Sequence, residues 1–348
     1  MTSKTGASTT IIAAKATTFG TAVAGTTGAK MEVESLNHTQ NSEVLQASPI
    51  GSGLDMQNDA QTGAQSPSID ITKIANYDDA GVFLAALFFG GNSVMNMGNG
   101  AYYQSITYNA TRNQYGATVA FQGYSLGVFE YPWCTPTALN VIADTPPDYV
   151  RHTINLLGND RVISGTVNSA GGIVNATLAN SKRVIVKPED KFMINAQAGG
   201  ALSGSDFVAV KSVNIQYNHD AEHVQEIKNA AGNGQVVSTG NPPFNCTVTV
   251  EFRNLNDFTY FTAQDAGTEY KAAFEVTGDL IGGSQYYTHY YAFPRLKILA
   301  DPEYNLTTPA ENPSTVTFQA LAASAAPTGM ISTLPFLLVK NTKATTYL

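Results

Sequence analysis

The chain has 348 residues, a net charge of −8 and only 13% charged residues, against roughly 25% in an ordinary soluble domain. This length accommodates two domains, each able to bury its own core. The acidic balance argues against a basic nucleic-acid-binding face, which needs clustered Lys and Arg, but it is compatible with an acidic conduit that repels phosphates. The two cysteines, Cys134 and Cys246, form neither a CxxC motif nor a disulfide framework.

Residues 1–29 are rich in Thr, Ala, Gly and Ser, a composition that predicts a flexible N-terminal arm. Ile11 and Ile12 favour extended backbone, so we expect the arm to add a strand to a neighbouring subunit; a simple disordered tail is the alternative. Lys15 and several threonines interrupt the apolar stretch, so we expect no signal peptide. No run approaches the roughly 18 apolar residues of a membrane span.

Alternating apolar and polar residues predict strands over most of the remaining chain, at 68–71, 118–122, 212–217, 247–253 and 315–319. Such alternation places one face of a strand on a core and the other against solvent or a partner. The segments 118–122 and 315–319 have similar sequences, so we expect them to be equivalent strands.

Two helices are predicted between the strands. Residues 78–89 begin with Asp78 and Asp79 and end before a Gly-Gly pair, and their apolar residues run all round, which indicates burial on several sides. Residues 256–267 have a similar start and a Gly at the end.

A short segment occurs twice. Residues 36–45 reappear, loosened, as residues 217–227, with His38 and His219 as the matching histidines. This internal repeat predicts two similar domains, and chance similarity is the alternative. The Gly-rich stretch from Gly199 to Ser205 predicts the boundary, which gives domains 30–200 and 201–348 after the N-terminal arm.

Motifs for catalysis are weak. Gly123 to Gly127 match the G-x-S-x-G pattern with Ser125, and His289 follows in the order of a hydrolase triad. The pattern requires a helix after the serine, whereas Pro132 interrupts the following segment, so we expect no enzyme. His219 and His223 are four residues apart but lack a third ligand, so we expect no metal site.

The densest aromatic run, residues 286–294, has only Arg295 and Lys297 as nearby cations. Base stacking normally accompanies a cationic groove, so we interpret the run as part of a core or a subunit interface. The inter-subunit candidates are Ile11, Ile12, Tyr286, Tyr287, Tyr290 and Tyr291.

Three features resemble the major tail tube proteins of long-tailed (siphovirus-like) bacteriophages. They are the strand, Asn/Asp turn and apolar helix of residues 77–91, the aromatic-Pro-Arg-x-Lys-Ile strand of residues 292–298, and the C-terminal strand and arm of residues 315–348. The likeness is one of pattern and order and covers about two thirds of the chain.

This resemblance implies a mainly β fold with two β-sandwich or half-barrel domains, each with a short flanking α-helix, and extended N- and C-terminal arms. It implies a structural virion protein, assembled in the host cytoplasm, whose stacked rings form the tail tube through which genomic DNA passes without sequence-specific binding. Six tube domains close a ring, so three duplicated chains or six single ones are expected. Its implied partners are the tail terminator, tape-measure and baseplate proteins, and it has no cofactor.

Polar positions on two alternating strands are the candidates for the wall of such a tube: Asp70, Thr72, Thr249 and Glu251. Three other functions stay open: a different β-sandwich virion protein of the capsid-decoration or fibre type, a hydrolase using Ser125, and a secreted binding module. A tube assembles as an open cylinder, whereas a decoration or fibre protein does not.

Overall fold

The computed structural model describes residues 10–26, 28–47, 59–110, 114–123, 127–165, 167–169, 173, 175–224, 235–238, 244–253, 259–304 and 314–348. Ser125 therefore lies outside the described residues, as do residues 225–227 of the second repeat copy and residues 256–258 of the second predicted helix.

The described residues confirm a mainly β fold with two α-helices. The elements before residue 190 are β1 Ile11–Ala16, β2 Lys30–Met31, β3 Ser35–Ala47, β4 Asp59–Ile74, α1 Ala80–Phe89, β5 Gly90–Gly98, β6 Ala101–Tyr108, β7 Gly116–Gly123, β8 Gly127–Ala143, β9 Asp148–Tyr149, β10 Arg151–Gly158, β11 Val162–Ile163 and β12 Ile185–Val186. The later elements are β13 Lys191–Ala196, β14 Phe207–Val208, β15 Ser212–Asn218, β16 Ala221–Val224, β17 Gln235–Ser238, β18 Asn245–Phe252, α2 Thr259–Ala266, β19 Glu269–Gly282, β20 Gln285–Ile298, β21 Glu303–Tyr304, β22 Ser314–Ala320 and β23 Phe336–Asn341.

The strand pairings of the first half are repeated in the second. In the first half β1 pairs with β2 and β7, β7 pairs with β8, and a four-stranded antiparallel sheet has the order β3–β4–β10–β8. In the second half β13 pairs with β14 and β19, β19 pairs with β20, and the sheet order is β15–β18–β22–β20, with β21 continuing the β20 side. The helices α1 and α2 follow the equivalent strands β4 and β18.

The two four-stranded sheets join edge to edge. Residues 138–143 of β8 pair with residues 213–218 of β15 in an antiparallel register. We call this contact the internal seam. It makes one continuous sheet of eight strands across the middle of the chain.

Helix α1 has defined ends. The Asp79 side chain accepts hydrogen bonds from the backbone N–H groups of Gly81 (2.9 Å) and Val82 (3.2 Å), which satisfies two of the free amides at the helix start. Gly90 ends the helix at φ 80°, a left-handed conformation that glycine adopts without steric cost. Every residue of the helix is buried, as the all-round apolar sequence predicts. The second predicted helix is also confirmed, at Thr259–Ala266.

The β5–β6 hairpin and the C-terminus pack together. Strand β23 lies between β6 and β20. Beyond it the chain stays on its own surface, because the Tyr347 hydroxyl donates to Asp78 Oδ1 (2.6 Å) and the Asn341 amide donates to the Tyr77 carbonyl (2.9 Å).

The strand pairings revise two predicted equivalences. The segments 118–122 and 315–319 are not equivalent, because the first lies in β7 beside β1, whereas the second lies in β22, whose counterpart is β10. The repeated segments 36–45 and 217–227 do begin in equivalent strands, β3 and β15. In these strands Ser35 faces Thr72 and Ser212 faces Glu251, and the pairing makes Ser35 and Ser212 equivalent. This alignment differs by four residues from the one that matches the two histidines.

The strand pairings bear on two predicted limits along the chain, the end of the N-terminal arm and the domain boundary. Within residues 1–29, Ile11–Ala16 forms β1, paired on both sides within its own chain, so its strand tendency is satisfied internally. Lys191–Ala196 lies before the predicted boundary but pairs with β19 of the second half. The boundary and the arm stay predictions.

Candidate functional surface

The eight-stranded sheet has one apolar and one polar face. In β4, Ile69 and Ile71 are fully buried, while Asp70 between them is exposed and Thr72 is half-buried. The same alternation holds in β10, β15, β18 and β22. One face therefore belongs to the core, and the other is free in the isolated chain.

The free face carries mostly uncharged hydroxyl and amide side chains. The antiparallel registers place on it Ser35, Asn37, Thr39, Ser68, Asp70, Thr72, Thr153, Asn155, Asn140, Asn214, Gln216, Thr247, Thr249, Glu251, Thr315, Thr317 and Gln319. We call this set the polar face. It spans both halves of the chain, and Ala138 and Ile142 of β8 share it at the middle of the sheet.

Hydrogen bonds between neighbouring strands order the polar face. Oxygen atoms of Thr39 and Ser68 lie 2.7 Å apart, and those of Thr249 and Thr317 lie 3.2 Å apart. Cross-strand hydroxyl pairs stabilise a sheet and restrict the rotamers of side chains that would otherwise be mobile.

Charge on the polar face is sparse. Asp70 is an exposed carboxylate, and Glu251 accepts a hydrogen bond from Lys211 Nζ at 2.6 Å. At one end of the face, Arg151 donates to Asp148 at 2.7 Å, and this contact lowers the pKa of the Asp148 carboxyl. Such a surface has few cations with which to hold a phosphate backbone.

The four predicted wall residues lie on the polar face in two pairs, one on β4 and one on β18, and three strands separate the pairs. Asp70 and Thr249 occupy equivalent positions, as do Thr72 and Glu251. Sequence reasoning missed the contributions of β3, β8, β10 and β15 to this face. The alternation in 212–217 was a usable signal, but which strands lie side by side depends on the long-range pairing.

The predicted inter-subunit residues divide by exposure. Ile11, Ile12 and Tyr291 are fully buried within the chain. Tyr287 is buried against Tyr77, with ring centroids 5.1 Å apart.

Tyr290 is half-buried, and Tyr286 is 46% exposed. Of the aromatic candidates, Tyr286 therefore offers the largest fraction of its surface to a partner.

The histidines of the catalytic and metal interpretations have structural surroundings. His289 is fully buried and hydrogen-bonded to the Tyr291 hydroxyl at 3.0 Å; burial, and to a smaller extent Lys73, lowers its pKa to about 3. His219 packs on Phe88 and lies outside any helix. Among the described residues, no group of three or more His, Cys, Asp or Glu is placed to hold a metal ion, and no helix is long and apolar enough to cross a membrane.

A known protein family matches most of the chain. Residues 6–336 match a family model described as phage tail tube protein. A search of curated proteins gives no match.

Proposed function

The chain belongs to the phage tail tube protein family, and we propose that it assembles into rings that stack to form the tail tube, with its polar face lining the channel. Membership makes the protein a structural component of the phage tail. Beyond family membership, we propose that the chains form a ring, that the polar face of the sheet is turned towards the channel and that DNA passes through it.

The observation that carries the proposal is the continuous eight-stranded sheet with one core face and one polar face. Among the described residues this sheet is open along β3 at one end and along β21 at the other. Open edges are prone to pair with further chains, and closing the sheet into a cylinder removes both. The resemblance implies six tube units in a ring, and this chain repeats the four-stranded unit twice. Three chains therefore complete the ring in this proposal.

The orientation follows from the chemistry of the two faces. The apolar face is covered by the chain's own core, so the polar face is the one available to water in a channel. Its hydroxyl and amide groups hydrate well, and its few carboxylates repel phosphates, so DNA slides past rather than binding. Asp70, Thr72, Thr249 and Glu251 lie on the polar face, so in this proposal their side chains line the channel.

Stacking requires contacts between rings. The β3–β4 hairpin continues past the sheet to the pair Ala47–Asp59, and β16 and β17 form the equivalent extension in the second half. We assign these two hairpins to the contacts between successive rings. Assembly in the host cytoplasm and contacts with the tail terminator, tape-measure and baseplate proteins follow from the same function.

The experiment is electron microscopy of the purified protein at increasing concentration, with tails from virions as the reference. Uniform hollow tubes, with the polar face towards the channel in a reconstruction, are the expected result. Closed shells or isolated fibres would favour the decoration or fibre alternative. Stoichiometric labelling of Ser125 by a fluorophosphonate would favour a hydrolase.

A further inference from the structure

In the part of the chain that the structure describes, the eight-stranded sheet has an unpaired strand edge at each end. Among the described residues, β3 pairs only with β4, and β21 pairs only with β22. These strands lie at opposite ends of the sheet. Each presents backbone donors and acceptors that a further strand can satisfy.

The internal seam joins the counterparts of these two edges. Strand β15, the counterpart of β3, pairs there with the end of β8, the counterpart of β21. A hydrogen bond from the His219 amide to the Thr137 carbonyl (2.7 Å) extends the contact. The internal seam therefore shows, within one chain, how two four-stranded units pair edge to edge.

We infer that the β3 edge of one chain pairs antiparallel with the β21 edge of the next, in the register of the internal seam. This inference rests on the proposed function and specifies its ring contact. Its partner is a second copy of the same chain, because only another copy carries the complementary edge in this register.

The register can be derived by following the pairings outward from one sequence match. Tyr131-Pro132 in β8 corresponds to Phe293-Pro294 in β20. Five residues after Tyr131, β8 faces Leu156 of β10, and five residues after Phe293, β20 faces Phe318 of β22. Leu156 and Phe318 therefore occupy equivalent positions.

The equivalence of Leu156 and Phe318 also identifies equivalent residues nearer the ends of β10 and β22. Three residues before these positions lie Thr153 and Thr315, which face Asn140 and Glu303 respectively. Glu303 therefore takes the place of Asn140 at the outer edge.

Across the internal seam Asn140 faces Gln216. Gln216 lies four residues after Ser212, and Thr39 lies four residues after Ser35, its counterpart. Copying the internal seam therefore places Thr39 of one chain opposite Glu303 of the next.

The surroundings of the two residues are compatible with this contact. Thr39 and Glu303 are both exposed in the single chain, and both lie on the polar side of their strands. The contact would extend the row of polar side chains across the boundary between chains without burying a bare charge in the core.

The test is a disulfide across the seam in the double variant Thr39→Cys/Glu303→Cys. Directly opposed residues in antiparallel strands have Cβ atoms about 4.5–5.5 Å apart, and a disulfide needs about 3.5–4.5 Å, so a small local shift allows the bond to form. The two native cysteines, Cys134 and Cys246, are fully and almost fully buried, so they should not react. Assembled tubes are oxidised mildly and run on a denaturing gel without reductant.

The expected result is a ladder of linked chains that ends at the number of chains in one ring. The matched control is Asn37→Cys/Glu303→Cys, since Asn37 is exposed on the same side of β3 but two residues out of register. The control and both single variants should stay monomeric on the gel. Linkage of the control but not of the first pair would overturn the register.

A second measurement does not depend on the variants. Hydrogen exchange is compared between the isolated unmodified protein and tubes or virion tails. We expect outward-facing amides among Asp301, Glu303 and Tyr304, and alternate amides of β3, to slow by at least about tenfold on assembly; Pro302 has no amide hydrogen to follow. Unchanged exchange at both edges in well-formed tubes would overturn the inference and leave the proposed function standing. Absence of the protein from virion tails would overturn the proposed function itself.

Discussion

A buried ion pair fixes the start of helix α1. Lys73 Nζ lies 2.7 Å from Asp79 Oδ2, and both side chains are fully buried. The same aspartate caps the helix through Oδ1, so a single carboxylate links strand β4 to α1. Removing one member of such a pair leaves an uncompensated charge in a low-dielectric site.

We therefore predict that Asp79→Ala lowers the free energy of unfolding by about 3–5 kcal/mol, the usual cost of breaking a buried pair. The exposed pair of Lys182 with Asp279 (2.9 Å) provides the control, and Asp279→Ala should cost less than about 1 kcal/mol. Denaturant unfolding followed by Trp133 fluorescence measures both. Equal losses of unfolding free energy in the two variants would mean that the buried pair contributes no more to stability than the exposed pair.

Buried neutral histidines make the stability depend on pH. Burial lowers the pKa of His289 to about 3 and holds that of His152 well below its ordinary value, with the neighbouring charges adding to the effect. The unfolded chain binds these protons near pH 6.5, but the folded chain does not. Stability is therefore full above pH 6.5 and declines as the pH falls from 6.5 towards 3.

We predict that His289→Gln flattens this decline by up to about 1.4 kcal/mol per pH unit, the contribution of one titrating group. Tyr291→Phe removes a hydrogen-bond partner of His289 without removing a titrating histidine, so it should lower stability while retaining most of the pH slope. Unfolding curves between pH 4 and 8 distinguish the two. An unaltered slope in His289→Gln would show that the proton uptake occurs elsewhere.

At the scale of elements, the molecule is built from a unit used twice. Each copy contributes a four-stranded antiparallel sheet, a helix after its second strand and a hairpin that extends beyond the sheet. Alternation and helix caps could be predicted from the sequence, because they depend on neighbours three or four residues away at most. The repeat could be suggested by comparing two distant segments of the sequence, 36–45 and 217–227. The alignment of the two copies could not, because the matching histidines are four residues out of the register that strand pairing imposes.

The extended β3–β4 hairpin gives a prediction at this scale. Replacing residues 45–61 by Asn-Gly joins Val44 to Thr62, which already face each other, through a favoured two-residue turn. Because the sheet and its edges are retained, rings should still form, but they should not stack into long tubes. Sedimentation detects the ring, and electron microscopy measures tube length. Tubes of normal length would show that the hairpin is not needed for stacking.

At the scale of the whole molecule, the polar face is the feature that a DNA conduit requires. Its charges are few, and those near its end are paired, so in the proposed tube a phosphate backbone would meet hydroxyls and amides instead of cations. Low adhesion here is a property of the surface as a whole, and no single residue supplies it.

We predict that Thr249→Lys/Thr317→Lys converts tubes that do not retain DNA into tubes that do. With about six added cations per ring of three chains, DNA affinity should fall by about 10³-fold or more between 50 and 200 mM salt. Ser324→Lys, at an exposed position off the sheet, is the control. A filter-binding assay on intact tubes measures retention, and equal retention in both variants would place the polar face outside the channel.

The sequence by itself determined the class of fold, both helices and the sparse charge, and it indicated that Asp70, Thr72, Thr249 and Glu251 lie on the polar side of their strands, because these follow from composition and short-range periodicity. Their role as wall residues stays a prediction. The sequence also indicated the family that the whole-chain match supports. Only the tertiary structure decided that Ile11, Ile12 and Tyr291 lie inside the chain and that β8 and β15 form a seam. Burial and strand order depend on contacts between residues far apart in the chain, and an alternating segment has the same sequence pattern whichever neighbour it pairs with.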